Sequence, residues 1–319
     1  MNKLSNIIDE DIKLPPANFE ELYETAVAIS GKMAAQKLIV TGPENKVILE
    51  AVDRAYQDGL VMPYLVGKQE EILMIAEELG INLDDYKIID ATENREKALK
   101  SIECLVNEGD ILMKGLIPTS TILGVLLEKG KPLLKREVLS HLILADIPIL
   151  DRLIFISDGG MNISPDYKTK KAIISNAVEV AKEFGWGKPK VALLAAVEKV
   201  KQEMPETVEI DRIVSEYDEC LLGAYLDGPL ALDLAVSQKS AEIKGVDSPV
   251  AGEADILITP EIVSGNLLGK SSIYFGGGKI AALLGGVTKP VSIPSRAADN
   301  ETRLASMAAA IIQGSRYNE

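Results

Sequence analysis

Val291-Ser292-Ile293-Pro294-Ser295-Arg296-Ala297-Ala298-Asp299 changes character twice along its length. An apolar run of strand character ends at Pro294, a hydroxyl and a guanidinium follow, and helical spacing opens at Asp299. Strand, short turn and helix make up the βα step from which parallel α/β sheets are built. A hydroxyl and a guanidinium at a strand end, beside free helix amides, form a place to hold phosphate or a developing oxyanion. Ser295 and Arg296 are therefore the first candidates for chemistry. A plainer reading, a capping Ser with a surface Arg, stands beside that one.

The same switching recurs outward from this stretch. Residues 38–41, 64–66, 111–113, 191–195, 224–226 and 255–259 read as further strands. Helical stripes lie between them. One begins near Asn45 and turns Ile48, Ala51, Val52 and Ala55 to one side; another begins with Thr92 as N-cap and buries Ala98, Ile102, Leu105 and Val106. A third runs from Asp166 through Ile173, Ala177, Val178 and Ala181 to a Gly185-Trp186-Gly187 stop, and the last carries Leu304, Met307, Ala308 and Ile311. These stripes are core and imply no ligand. Gly130 to Arg136, where Gly-Lys-Pro and charged residues break the pattern, is the natural boundary between two α/β halves.

Composition narrows the classes of function. With 319 residues and 47% hydrophobic content the chain buries a large core and suits two domains. Its 34 basic against 48 acidic residues give a net charge of −14, which argues against nucleic acid and anionic membrane as partners. An anionic substrate then needs a local basic patch, and this makes Arg296 worth attention. No apolar run is long enough to span a bilayer and the first residues are too polar for a secretory signal, so the expected location is the cytoplasm. Cys104 and Cys220 have neither metal-ligand nor redox spacing and read as free thiols, Cys220 as buried and inert.

Several motifs lose their chemical reading on inspection. Gly265-Asn266-Leu267-Leu268-Gly269-Lys270-Ser271 resembles a phosphate loop but lacks one residue between its glycines, and reads better as punctuation before a helix. Gly276-Gly277-Gly278 allows either a close backbone approach to a ligand or close packing. His141, the only histidine, reads as structural, so a Ser-His-Asp or Cys-His catalyst is disfavoured. Asp227-Gly228-Pro229 follows a strand-like run and reads as a turn at the carboxyl end of a strand, where α/β proteins bind ligands.

An ordered set of segments carries a resemblance. Met113-Lys114-Gly115, Ser157-Asp158-Gly159-Gly160-Met161-Asn162, Pro189-Lys190-Val191-Ala192-Leu193-Leu194, Asp227-Gly228-Pro229-Leu230-Ala231-Leu232-Asp233, Ser248-Pro249-Val250-Ala251-Gly252-Glu253 and Ser295-Arg296-Ala297 together resemble the phosphate butyryltransferase branch of the phosphate acyltransferases.

The resemblance implies an α/β fold with two domains of parallel or mixed sheets, like the isocitrate and isopropylmalate dehydrogenases. It implies 1–137 with the returning 286–319 as one domain, 138–285 as the other, and an active cleft between them. It also implies transfer of a short acyl group, butyryl or branched, between coenzyme A and inorganic phosphate, with no metal and no bound cofactor, in a homodimer or higher homo-oligomer. Acetyl transfer is the nearest alternative. Ser295 and Arg296 match the pair that the acetyl-transferring relatives use for catalysis, and Lys114, Gly115, Asp227, Gly228 and Pro229 are expected to bind substrate. The carboxylate those relatives place one turn into the last helix falls at Thr302, which leaves Asp299 and Glu301 as substitutes. Two other classes stay open: a metal-dependent decarboxylating dehydrogenase, although no G-x-G-x-x-G follows the first strand, and a non-catalytic acyl-CoA sensor.

Overall fold

The computed structural model describes residues 12–217 and 223–315. Among these, contacts divide the chain into two units: 12–13, 19–137 and 281–315 form the first, 14–18 and 138–280 the second.

The first unit opens with α1 (Phe19–Ser30) and then alternates strand and helix through β1 (Gln36–Thr41), α2 (Lys46–Gln57), β2 (Val61–Gly67), α3 (Gln69–Leu79), β3 (Lys87–Asp90), α4 (Asn94–Asn107), β4 (Ile111–Lys114) and α5 (Thr119–Lys129). Local chemistry sets these boundaries. Asn45 caps α2, its side-chain oxygen accepting from the Ile48 amide at 3.2 Å, and Ile48, Ala51, Val52 and Ala55 are buried. The start of α4 differs from expectation. Thr92 lies outside the helix, its amide donating to the Glu96 carboxylate at 3.0 Å, so a side chain from the first turn reaches back to the entering chain. Val106 is only half-buried, and Cys104 faces the interior in addition to Ile102 and Leu105.

The second unit contains β5 (Ser140–Asp146), β6 (Ile154–Ser157), α6 (Tyr167–Glu183), β7 (Lys190–Leu194), α7 (Pro205–Ser215), β8 (Tyr225–Leu230), α8 (Leu232–Val236), α9 (Gln238–Lys244), β9 (Ile256–Ile258) and α10 (Ile262–Tyr274). Its strands are ordered β5-β6-β9-β7-β8; β5 and β6 are antiparallel and the other pairs parallel. Ile143, Ile154, Ile156, Ala192, Leu230 and Leu257 belong to its core.

Two glycine motifs take other places than the sequence suggests. Asp227-Gly228-Pro229 is not a turn after a strand: it lies within β8, which continues to Leu230. Pro229 is tolerated because β8 is the last strand in its order and the pairing with β7 shifts register there, so no ladder donor is missed. Gly265 and Gly269 lie inside α10, not ahead of a helix. A Cβ on Gly265 would stand 2.3 Å from the Asp158 carbonyl oxygen, and one on Gly269 would stand 2.5 Å from Ile143 Cδ1, so their smallness lets the helix approach β5 and β6. Gly276 and Gly278 pack closely as well, against the Ser272 and Asp146 carbonyls, while Gly277 between them has open space and a left-handed φ of 64°. Cys220 lies outside the described residues.

The chain then returns to the first unit with β10 (Lys279–Gly285), whose residues from Ala281 onward belong there, β11 (Val291–Ser292) and α11 (Asn300–Gly314). In that unit the strand order is β3-β2-β1-β4-β11-β10. β11 runs parallel to β4, with Ser292 opposite Met113, and antiparallel to β10, with Leu283 opposite Ser292. The mixed α/β architecture expected from the sequence is thereby met. α11 packs against α1 and α2, and is buried from Ala305 to Gly314 by small and aliphatic residues. No helix among the described residues is long and apolar enough to cross a membrane.

Candidate active site

Because β4 and β11 are parallel neighbours, their carboxyl ends lie side by side, and each ends in a candidate residue. β4 delivers Lys114 and Gly115; β11 leads into Ile293, Pro294, Ser295 and Arg296. The turn after β11 is held locally: the Ala298 amide donates to the Ser295 carbonyl at 3.0 Å, and the Ala297 amide donates to Ser295 Oγ at 3.3 Å. Ser295 and Arg296 are both exposed, which leaves the hydroxyl proton and the guanidinium free to meet a ligand.

Asp299, one of the two substitute carboxylates, caps the last helix, accepting from the Thr302 amide at 2.8 Å. Glu301 follows in the exposed first turn. One turn into the helix stands a residue that sequence reading passed over. Arg303 is 1% exposed, and its Nε and Nη1 have no hydrogen-bond partner. Its Nη2 reaches back to the backbone carbonyls of Ser295 at 3.5 Å and Arg296 at 3.4 Å. Arg303 therefore links the helix to the Ser-Arg turn and has donors left over.

Lys114 is nearly as buried, at 2% exposure. Its ammonium has one hydrogen bond, to the Gly115 carbonyl at 3.2 Å. Burial, and then the nearby positive charges of Arg303 and Arg296, push its pKa down to about 8. Arg303 is likewise pushed down by burial, and Asp299 partly opposes that shift. Among the described residues none of Lys114, Arg296 and Arg303 forms an ion pair. Two buried cations and a third at the rim, with no paired carboxylate, make a costly arrangement unless an anion completes it. The group can bind a phosphoryl oxygen and oppose negative charge that develops beside Ser295.

Gly115 makes the close packing beneath this cluster possible. Its amide donates to the Thr41 carbonyl at 2.8 Å and the next amide, of Leu116, to the Gly42 carbonyl at 2.7 Å. A Cβ on Gly115 would stand 2.2 Å from the Gly42 oxygen. Gly115→Ala is expected to cost about 1–3 kcal/mol through overpacking and to displace Lys114. A denaturation midpoint unchanged from the parent would show that the loop yields freely.

The remaining candidates lie in the second unit. Asp227 is half-buried and accepts from the Gly228 amide at 2.8 Å, and a Cβ on Gly228 would stand 2.7 Å from the Leu193 carbonyl oxygen. Asp158 is buried and accepts from the amides of Gly160 and Met161, both at 2.8 Å, from the His141 amide at 3.1 Å and from Asn162 Nδ2 at 2.6 Å. Four donors fix this carboxylate as the organiser of its loop. His141, on β5, is lowered in pKa by burial, which outweighs the opposing charge of Asp158, and Gly160 is packed against its ring. Among the described residues no group of three or more His, Cys, Asp or Glu is gathered to hold a metal ion.

Comparison with known proteins gives a concordant result. A family model described as phosphate acetyl/butaryl transferase matches residues 99–311. The phosphate butyryltransferase of Clostridium acetobutylicum is 37% identical over 285 residues, covering 88% of this chain and 94% of that protein. Among solved structures, a branched-chain phosphotransacylase from Enterococcus faecalis V583 superposes with a TM-score of 0.78 at 28% identity, over 87% of this chain and 99% of the other. A Salmonella typhimurium structure named for 4-hydroxythreonine-4-phosphate dehydrogenase superposes with a TM-score of 0.58 at 12% identity, over 88% and 99% of the two chains, a likeness of fold alone.

Proposed function

The chain belongs to the phosphate acetyl/butyryl transferase family and is a phosphate acyltransferase acting on acyl-CoA and phosphate, and from that premise we propose that it moves a four-carbon or branched short acyl group at the Ser295-Arg296 turn. The observation that carries this placement is the cluster of Lys114, Arg296 and Arg303, cationic and without a paired carboxylate, at adjoining strand ends. Phosphate attack on a thioester brings two anionic reactants together and gathers negative charge on the carbonyl oxygen, so positioning and charge stabilisation are the main requirements. In this reading the guanidinium of Arg296 and the buried donors of Arg303 hold the phosphate, and Arg296 also opposes the charge of the transition state. The Ser295 hydroxyl, whose oxygen already accepts from the Ala297 amide, donates to the carbonyl oxygen as it becomes an oxyanion.

Transfer is direct, with no acyl-enzyme. Burial raises the Cys104 thiol to about 11, which leaves little thiolate to act as nucleophile. Accordingly, Cys104→Ala and Cys220→Ala are expected to retain activity; recovery of an acylated cysteine from a quenched reaction would refute direct transfer.

The acyl preference follows the butyryl-branch segments and the butyryltransferase relative. Acetyl is the second reading, favoured by the breadth of the family model. The experiment is a thiol-release assay with phosphate and butyryl-, isobutyryl-, isovaleryl- or acetyl-CoA. Neighbouring chain lengths separate by about 1–3 kcal/mol per methylene, so an advantage of at least about thirtyfold in kcat/KM for a four- or five-carbon chain over acetyl, two methylenes shorter than butyryl, is expected. An acetyl optimum would reject the proposed preference.

A further inference from the structure

We propose that Lys114 is the proton carrier of the acyl transfer, its neutral amine accepting the thiol proton of coenzyme A and returning it to the departing phosphate. The inference rests on the reading of the site given above and adds a base to it. Lys114 stands at the carboxyl end of β4, next to the strand that leads to Ser295, and is almost closed to solvent. Its Nζ contacts one carbonyl, so most of its hydrogen-bonding capacity is uncommitted. The charged groups acting on it are Arg296, from the turn after β11, and Arg303, from α11, and both are positive. On the opposite side β1 presents Thr41, whose hydroxyl is committed to Ser101 Oγ at 2.7 Å. The carboxylate of the following loop, Glu44, is closed in its own buried ion pair with Lys97.

These surroundings hold the amine at about 8, where a useful fraction is neutral at ordinary pH and the conjugate acid still transfers its proton readily. Desolvation together with neighbouring cations is a physical route by which a lysine becomes a base. The carboxylates of the last helix are less suited. Asp299 is engaged by the Thr302 amide and Glu301 lies in the exposed first turn.

In the direction of acyl-CoA synthesis, the Lys114 lone pair takes the thiol proton and the thiolate forms the new S–C bond at the acyl phosphate carbonyl. The C–O bond to phosphate then breaks, the bonding pair stays on the phosphate oxygen, and the ammonium of Lys114 protonates that oxygen. In the other direction the amine takes the proton of the attacking phosphate and gives it to the departing thiolate.

The test separates a base from a fixed positive charge. Lys114→Arg keeps the charge but is not deprotonated at working pH. It is expected to lose about 10²- to 10⁴-fold in kcat, the span of general acid-base catalysis, while KM for phosphate changes a few-fold. In Lys114→Ala, added ammonia, methylamine and ethylamine are expected to restore turnover in proportion to the free amine. A Lys114→Arg enzyme with parental kcat would overturn the proposal, as would an Ala variant that gains nothing from amines or responds to the ammonium form. Asp299→Asn and Glu301→Gln complete the set, and loss of the alkaline-rising limb of kcat in either would assign the base there instead. If the parent enzyme forms no acyl phosphate from any short acyl-CoA, the reading of the site fails first. If the parent is active and Lys114→Arg matches it, the proton carrier alone fails.

Discussion

Arg303→Met is expected to weaken phosphate binding by about a hundredfold while leaving the protein as stable as the parent, or more so. The two effects have one origin. Arg303 is buried with two of its nitrogen groups unpartnered, so without an anion beside it its charge is a net cost. Replacing a buried ion by an apolar side chain of similar volume is commonly neutral or stabilising by about 1–4 kcal/mol. Arg303 lies on the face of α11 that also carries Met307 and Ile311, and a methionine suits those surroundings. If phosphate binds here as proposed the balance reverses, because the charge-assisted donors then have their anion; removing one partner of a buried charged pair costs about 2–5 kcal/mol. KM for phosphate and a thermal unfolding curve with and without phosphate measure both sides. A variant of lower stability with parental KM would mean that Arg303 serves the helix and not the ligand.

Arg296→Ala is expected to reduce kcat by about 10²- to 10³-fold, the loss that accompanies removal of one donor aimed at developing charge, about 3–4 kcal/mol. Its fold should survive. The residue is exposed and has no ion pair, and substitutions at such sites rarely move stability by more than about 0.5 kcal/mol. Ser295→Ala is expected to show a fall of about 10²-fold with little change in phosphate affinity, since its hydroxyl is assigned to the acyl oxygen. The two substitutions act on one transition state and should not add when combined. Circular dichroism establishes folding and steady-state kinetics the rest; near-parental turnover in Arg296→Ala would remove that residue from the chemistry.

The α/β architecture was legible because hydrophobic period changes at each element. Helices begin close to Asn45, Asp166 and Asp299 as read, each of these side chains capping its helix, and the stripes behind them are buried apart from half-buried Leu304; Thr92, read as a cap, is not one. Glycine misled where tertiary packing outweighed local preference. Gly228-Pro229 carries the composition of a turn but lies in an edge strand with shifted register, and Gly265 with Gly269 is composed like a loop but lets a helix lie against a sheet.

Within the candidate site, Ser295 and Arg296 were found from their place after a strand, and Lys114 from its family segment. The sequence did carry a signal for Arg303: with Met307 and Ile311 it is spaced by four, which places a guanidinium on the buried stripe of an apolar helix. Its meaning rests on a long-range fact, that β11 is inserted beside β4. That pairing joins segments far apart in sequence and leaves no trace in local pattern.

The insertion of β11 between β4 and β10 also orders events during synthesis. Residues 138–280 emerge from the ribosome before the strand that sits between the early strands and β10 exists. The earlier-made unit must therefore wait with an incomplete sheet edge, and Lys114 gains its guanidinium neighbours only when the last helix arrives. A nascent chain halted before Ser295 would carry the second unit's residues in full and lack both guanidiniums that neighbour Lys114.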